Sequence, residues 1–419
     1  MMKILVCLIS DQHIPNLLTV HAVKPDLLVL IVTPDMERKN AAANFLKALE
    51  IGGMKELLNK DRHKIVPLKE ENSIPIAKKV FQDIIKDYSE DEWIVNITGG
   101  TKPMSIAAFE FFKSRNNTTM VYVPINDQSR ALNFTREGES LKLDHEVTIG
   151  QFLAGYGFEL LKDKSEVIEK ETLVMSWFDA SIYLVAHCND QEVKRFLKSL
   201  STISGQRNGR KNGLTILDSD ELYLMDDALL SCLASLFPSI KLKNNSITGS
   251  LNANEVEFLT GGWLECFILI LLSKHSDKLG IREVHLNLEV ISRGPIAARP
   301  KNEWEITFMH GQSLCFIECK TGDQKGRRES EILYKVEAIK KQLGALRVKS
   351  YLATTSPIVI DKITGKIKEH LATRAALYNC KIIEGEKLQR IAQMQMVETD
   401  ESRQIELIRS LFELNPKAQ

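Results

Sequence analysis

The fold class predicted by this sequence is α/β: an N-terminal domain with a doubly wound parallel sheet, then a C-terminal α/β domain built around a hairpin. Three observations carry that reading. Residues 1 to about 148 alternate strand-like and helix-like segments. Runs such as Leu27-Leu28-Val29-Leu30-Ile31-Val32 are apolar at every position, as in strands covered on both faces. Residues Asn302 to Lys320 read as two strands around a tight turn, the second apolar until it ends in Glu-x-Lys.

In the N-terminal domain, strands are expected at Lys3–Ile9, Leu27–Thr33, Lys64–Pro67, Trp93–Thr98 and Thr119–Pro124, with helices at about 36–50, 75–88 and 102–115. A hairpin, Arg130–Arg136 with Ser140–Asp144, closes the domain at about 148. Residues 149–255 read as a connecting region with a possible small helical subdomain, patterned at 172–187, 191–202 and 225–236. Gly205 to Gly213 reads as a basic, glycine-punctuated loop. The third segment, 256–419, opens on Gly262–Ser273, an apolar stretch with Glu265 as its one charge, expected as a buried helix. Further strands follow at 283–292, 304–309, 313–320, 348–354 and 380–383, with Arg293-Gly294-Pro295 as a turn and helices at 329–345 and 401–414.

The chain of 419 residues, 44% hydrophobic and 26% charged, has room for two or three domains of ordinary globular composition. Its 55 basic and 55 acidic side chains cancel, so contact with nucleic acid must come from a local basic patch. The densest one near the hairpin is Lys325, Arg327, Arg328, Lys335, Lys340 and Lys341, with Glu329, Glu331 and Glu337 interleaved. No aromatic platform accompanies it, which suits phosphate contacts with loose sequence preference. Seven cysteines without a CxxC pair argue against structural zinc and disulfides and suggest reduced, buried thiols. The N-terminus lacks a signal-peptide pattern and no run approaches the length of a membrane span, so a soluble, cytoplasmic protein is expected.

Two loops fall beyond the carboxyl ends of expected strands, where open α/β sheets bind ligands. One is Ser10-Asp11-Gln12-His13-Ile14-Pro15-Asn16; the other is Asn96-Ile97-Thr98-Gly99-Gly100-Thr101-Lys102-Pro103. The second is glycine-rich and opens a helix, so backbone N–H groups, a helix N-terminus and Lys102 can form an anion site. GxxxxGK[ST] and GxGxxG are both absent, which argues against an NTPase and a dehydrogenase.

The hairpin carries a different chemistry. Alternation puts Leu314, Phe316, Glu318 and Lys320 on one face and Cys315, Ile317 and Cys319 on the other. On the first strand Glu303 and Glu305 share a face opposite Trp304 and Ile306. Pairing around a turn centred on His310-Gly311 lets Glu305 approach Glu318. Two carboxylates at the end of a buried sheet repel unless a cation joins them, and a nearby lysine suits metal-assisted hydrolysis.

This acid-gap-Glu-x-Lys arrangement resembles the PD-(D/E)xK restriction-endonuclease-like fold, with Gly261-Gly262-Trp263-Leu264-Glu265 where such nucleases place a helix bearing another acid. The pair SDQxxPN and NITGGTKPMS resembles a CARF domain, a Rossmann-like sensor of type III CRISPR systems. Together they resemble the CARF nucleases, homodimers that bind cyclic oligoadenylate on their two-fold axis and rearrange their nuclease domains in response. The resemblance implies a ligand cleft lined by Ser10, Asp11, Gln12, Asn16, Thr98, Gly99, Gly100, Thr101 and Lys102, with cyclic tetra-adenylate as the expected activator. It implies Mg2+ or Mn2+ held by Glu305, Glu318 and the carbonyl of Cys319, Lys320 at the attacking water or phosphate, Glu265 and Glu303 as secondary acids, and DNA or RNA as substrate. The family usually has Asp where Glu305 stands, one methylene shorter. The alternative is a non-catalytic nucleotide sensor that grips nucleic acid or regulates transcription; the intact Glu305, Glu318 and Lys320 set weighs against it.

Overall fold

The computed structural model describes all residues except 89, 162–170, 244, 294–300, 323–328, 345, 357–358, 362, 398–399 and 415–419, with backbone only for 301, 329 and 330. The expected turn at Arg293-Gly294-Pro295 and the basic residues Lys325, Arg327 and Arg328 therefore lie wholly or partly outside the described residues. Two compact units emerge. The first comprises Met1–Leu161, Val290–Asn302 and Lys340–Val348; the second comprises Lys162–Glu289, Glu303–Ile339 and Lys349–Gln419.

In the first unit the strands are β1 (Lys3–Leu8), β2 (Leu27–Val32), β3 (His63–Pro67), β4 (Glu92–Asn96), β5 (Thr118–Tyr122), β6 (Arg130–Asn133) and β7 (Ser140–Lys142). They form one sheet in the order β3-β2-β1-β4-β5-β6-β7. The first five are parallel and the last two antiparallel. The order reverses between β1 and β4, so the segments following both strands flank one topological switch point. All six residues of β2 are buried, as its unbroken apolar run requires. One face packs Ile4, Val6 and Leu8 with Trp93, Val95, Met104, Ala108 and Phe112.

Two local readings change. The expected loop after β1 turns into a helix at Ile14–Val23, because Pro15 falls in its first turn, where a missing N–H costs nothing. The expected helix at 36–50 is two, Pro34–Arg38 and Ala41–Ile51, interrupted by Asn40 at φ 53°. The helix Ile149–Gly155, sequence-assigned to the connecting region, belongs to this unit, as does β8 (Phe158–Leu160), which pairs with Val290–Ser292.

Two histidines here are held uncharged. His13 is buried edge-on to Tyr156 at 4.3 Å, over Gly155, where an added Cβ would lie 2.1 Å from its Nε2. Burial and then the Arg347 charge push its pKa down to about 3, against the Phe152 backbone hydrogen bond. His21 stacks on His145 at 3.4 Å, and burial, then His145 and Lys24, push it down to about 4. Both values lie below the ordinary 6.5, so the unfolded chain binds more protons. Their contribution to stability is complete above pH 6.5 and is lost as pH falls through that value toward 4. We expect denaturant titrations at pH 7 and pH 5 to differ by up to about 1.4 kcal/mol per pH unit for the fully buried His13 and by less for His21, whose environment solvent partly screens, and His21→Gln to flatten that slope.

In the second unit, residues 172–255 are more than helical. Helices Phe178–His187, Gln191–Gln206 and Asp227–Leu236 accompany a three-stranded antiparallel sheet of β9 (Leu214–Ile216), β10 (Ile240–Lys243) and β11 (Ser246–Leu251), in the order β10-β11-β9. The 205–213 segment is the end of one helix and a short helix Gly209–Asn212, rather than a loop. Five strands of a further, six-stranded sheet are β12 (Ile281–Ser292), β13 (Lys301–His310), β14 (Ser313–Lys320), β15 (Val348–Thr354) and β16 (Cys380–Glu384), adjacent in the order β16-β15-β14-β13-β12. Trp177, Phe196, Leu233, Phe258, Phe267, Ile306, Phe308, Ile317 and Ile383 share one core, so residues 172–255 are packed into this unit and are not a linker. Helices Glu369–Leu377, Gly385–Met396 and Glu401–Phe412 complete it.

The helical run Ala253–Lys274 is 22 residues long and apolar enough to cross a membrane by length and composition, which modifies the sequence expectation. Two thirds of its apolar window is buried inside the fold, as in a core helix. Its Cys266 thiol donates to the Val174 carbonyl at 3.2 Å. All seven cysteines are free thiols, six of them buried.

Candidate active site and ligand loops

The endonuclease-like constellation rests on the β13–β14 hairpin. Its ladder runs from His310↔Ser313 to Ile306↔Ile317, closing a two-residue loop, Gly311-Gln312, one position later than the sequence suggests. Gly311 takes φ 57°, a first loop position that favours glycine. Cys315, Ile317 and Cys319 join Ile306 and Phe308 in the core, as alternation requires. Beyond Ile306 the alternation breaks: Trp304 stacks on Phe316 at 5.8 Å, on the face away from Ile306. Such an irregularity re-aims side chains, as β-bulges do.

Glu305 thus reaches the end of β14. Lys320 Nζ stands 2.7 Å from Glu305 Oε1 and 3.0 Å from Glu318 Oε1. The Cys319 N–H donates to the second Glu305 oxygen. Side-chain exposures are 18% for Glu305, 7% for Glu318 and 15% for Lys320. Burial, then repulsion from Glu318, raises the pKa of Glu305 despite Lys320 and the Cys319 N–H. Burial also opposes charge on Lys320, but the two carboxylates outweigh it and hold its ammonium above the ordinary lysine value.

The secondary acids flank this cluster. Glu303 is exposed, and its backbone carbonyl, 3.4 Å from Lys335 Nζ, is its contact with this cluster. Glu265 is half-buried on the helix Trp263–Lys274 and lines a cavity of about 30 Å3 with Trp177, Asn254 and Asn287, room for about one water. Its charge reaches the Cys319 thiol, whose pKa is raised by burial, then Glu305, then Glu265. Sequence reasoning left Lys335 among a general basic stretch; the helix Glu329–Gln342 brings its Nζ 3.0 and 3.1 Å from the Glu318 oxygens. Lys340, from the same stretch, is buried.

Among the described residues, no group of three or more His, Cys, Asp or Glu side chains converges as a metal site. Two adjoining carboxylates, one raised by burial and by the other, are nevertheless the hard oxygen donors that fit a largely hydrated Mg2+ or Mn2+.

At the switch point of the first unit, the two loops are tied from beneath. Asn96, fully buried at the end of β4, donates through Nδ2 to Asn16 Oδ1 and Thr19 Oγ1 at 3.0 Å and to the Pro15 carbonyl at 3.3 Å. Its Oδ1 accepts from Thr98 N at 3.0 Å and Thr98 Oγ1 at 2.6 Å. Asn16 donates to the Leu8 carbonyl at 2.9 Å and is wholly buried, which places it under the loops instead of on their surface. Gly99 lies against Leu8, where a Cβ would come within 2.2 Å of the carbonyl oxygen, and Gly100 has φ 77°. Thr101 caps the helix Lys102–Phe112, accepting from Met104 N at 3.4 Å. Its Oγ1 also donates to the Glu71 carbonyl at 3.0 Å. Lys102 is exposed at the first helical position.

On the β1 side, Asp11 pairs with Lys39 at 2.9 Å, Gln12 Nε2 donates to the Gly344 carbonyl at 3.0 Å, and Ser10 Oγ accepts from Gln12 N at 3.3 Å. Asn96 was not among the expected site residues. A polar residue closing the apolar run Trp93-Ile94-Val95 was the available signal.

Comparison with known proteins agrees with both halves. Residues 4–152 match the model of the Card1 CARF domain, and residues 252–378 match that of the Card1-like endonuclease domain. Can2 from Sulfobacillus thermosulfidooxidans, solved in complex with cyclic tetra-adenylate, is 23% identical with a TM-score of 0.66, covering 94% of this chain and 98% of its own. Protein VC1899 from Vibrio cholerae is 18% identical with a TM-score of 0.70, covering 94% and 97%. At these identities the likeness shows the fold. No curated protein matches the chain. A Card1-type CARF domain followed by a Card1-like endonuclease domain makes this chain a member of the CARF-domain nucleases.

Proposed function

We propose that the protein is a divalent-metal-dependent nuclease, switched on by cyclic tetra-adenylate, that cuts DNA or RNA with loose sequence preference in type III CRISPR defence. The observation that carries this is the buried Glu305–Lys320–Glu318 cluster inside a Card1-like endonuclease domain of a chain that also bears a Card1-type CARF domain. Can2, a fold neighbour, was solved with this ligand.

Glu305, Glu318 and the Cys319 carbonyl would hold Mg2+ or Mn2+, which lowers the pKa of water and offsets charge on the phosphate. Lys320 orients the attacking water and steadies charge developing on the phosphate oxygens. Glu265 sets the electrostatics beneath Cys319. Ser10, Asp11 and Gln12 face the ligand from one side of the switch point, and Thr98, Gly99, Gly100, Thr101 and Lys102 from the other, with Asn16 supporting both. A homodimer would present each loop twice to a symmetric ring, in the cytoplasm.

Supercoiled plasmid, single-stranded DNA and RNA are incubated with the protein and Mn2+, with and without cyclic tetra-adenylate. Cleavage that needs the ligand is the expected result. Cleavage without ligand removes the switch from the proposal, and tight ligand binding with no cleavage replaces it by the non-catalytic sensor.

A further inference from the structure

Glu318 carries two ammonium partners of different character. Lys320 is 15% exposed and shared with Glu305, so it is fixed by two carboxylates. Lys335 is 42% exposed, comes from a helix instead of the sheet, and lies within 3.1 Å of both Glu318 oxygens. Its other contact is a backbone carbonyl at 3.4 Å. The exposed member of such a trio is the exchangeable one, since solvent screens its pairing and its long side chain loses rotamer freedom when held. Where the cluster opens to solvent, a phosphodiester meets an ammonium before it meets a carboxylate.

We propose that Lys335 is a phosphate-contacting residue of the nuclease site, parked on Glu318 until substrate arrives. While parked it competes with the divalent cation for the Glu318 oxygens. When it swings to a phosphate of the nucleic acid, it frees them. Substrate and metal thereby favour each other's binding through this one side chain, in addition to the charge the metal offsets on the phosphate. The inference rests on the metal-dependent nuclease reading and adds the order in which its site assembles.

The test uses the full-length protein and two binding measurements that need no turnover. Mn2+ is titrated calorimetrically into metal-stripped wild type and Lys335→Gln. Binding of a short labelled duplex and a single strand is followed by anisotropy in EDTA over a range of salt. Lys335→Gln is expected to bind Mn2+ up to about fivefold more tightly, because a screened competitor is gone. It is expected to bind nucleic acid about tenfold more weakly, with a salt slope shallower by about one. Lys335→Arg keeps the charge and stays near wild type in the salt slope. Lys335→Gln binding Mn2+ no more tightly, or nucleic acid no more weakly, overturns the proposal. Glu318→Gln, titrated in parallel, separates the two levels: if it binds Mn2+ as wild type does, the metal site itself is wrong.

Discussion

Lys320→Ala is expected to lower cleavage by about 10²–10³-fold while leaving a folded protein, and Glu318→Ala to lower it at least as far. The two variants fail for different reasons. Without Lys320, Glu305 and Glu318 face each other with Lys335 as the remaining ammonium, and of these two acids it pairs with Glu318. Glu305, already raised by burial and by Glu318, then rises further. A divalent cation relieves that repulsion, so Mn2+ should raise the melting temperature of Lys320→Ala. At 100-fold excess over Kd the stabilisation is about 2.7 kcal/mol. Glu318→Ala removes a donor and should lose this metal-induced shift along with activity. Activity retained in both variants would show that the chemistry lies elsewhere.

Asn96→Ala is expected to destabilise the sensor unit by about 3 kcal/mol, since each buried polar group left without its partner costs roughly 1–3 kcal/mol. The amide ties Asn16, Thr19 and the Pro15 carbonyl on one side to Thr98 on the other, so its loss unfastens both switch-point loops at once. For a unit of this size the melting temperature should fall by roughly 6–12 °C. Ligand binding should weaken even at temperatures where the variant is folded. Thr98→Val, which removes one bond of the set and the Thr98 Oγ1 contact to Val123 N, should show a smaller loss of both. Equal stability of Asn96→Ala and wild type would mean the network is not what orders the loops.

How much of this was legible follows from periodicity. The parallel strands announced themselves as apolar runs, and the hairpin that carries Glu305 and Glu318 was legible as well, with its turn one position later than expected. What failed was information not carried by period. The helix Ile14–Val23 was hidden because Pro15 and Asn16 suggest a turn, although proline suits a helix start equally well. The small sheet of β9, β10 and β11 consists of short strands with few apolar residues, which three-dimensional pairing stabilises more than local preference. Lys335 lies 15 residues past Lys320 on another element, so no spacing rule joins it to Glu318. Asn16 looked like a reader of ligand because it is polar and near a loop; its burial under Leu8 and Asn96 is a tertiary fact.

Most surface turns tolerate an added residue. The loop Gly311-Gln312 should not, because it acts as the gauge that sets the spacing of the acids. One residue inserted there slides β14 against β13 by one step, and that step exchanges its two buried faces, moving Cys315, Ile317 and Cys319 away from Ile306 and Phe308 and putting Glu318 and Lys320 against that apolar core. A single-residue insertion is thus expected to extinguish the nuclease as completely as loss of an acid, though no acid has changed, whereas Gln312→Ser should be silent. Nuclease competence in this fold is a matter of counting as well as chemistry, and drift in the length of this loop would retire the enzyme while its sensor domain went on folding.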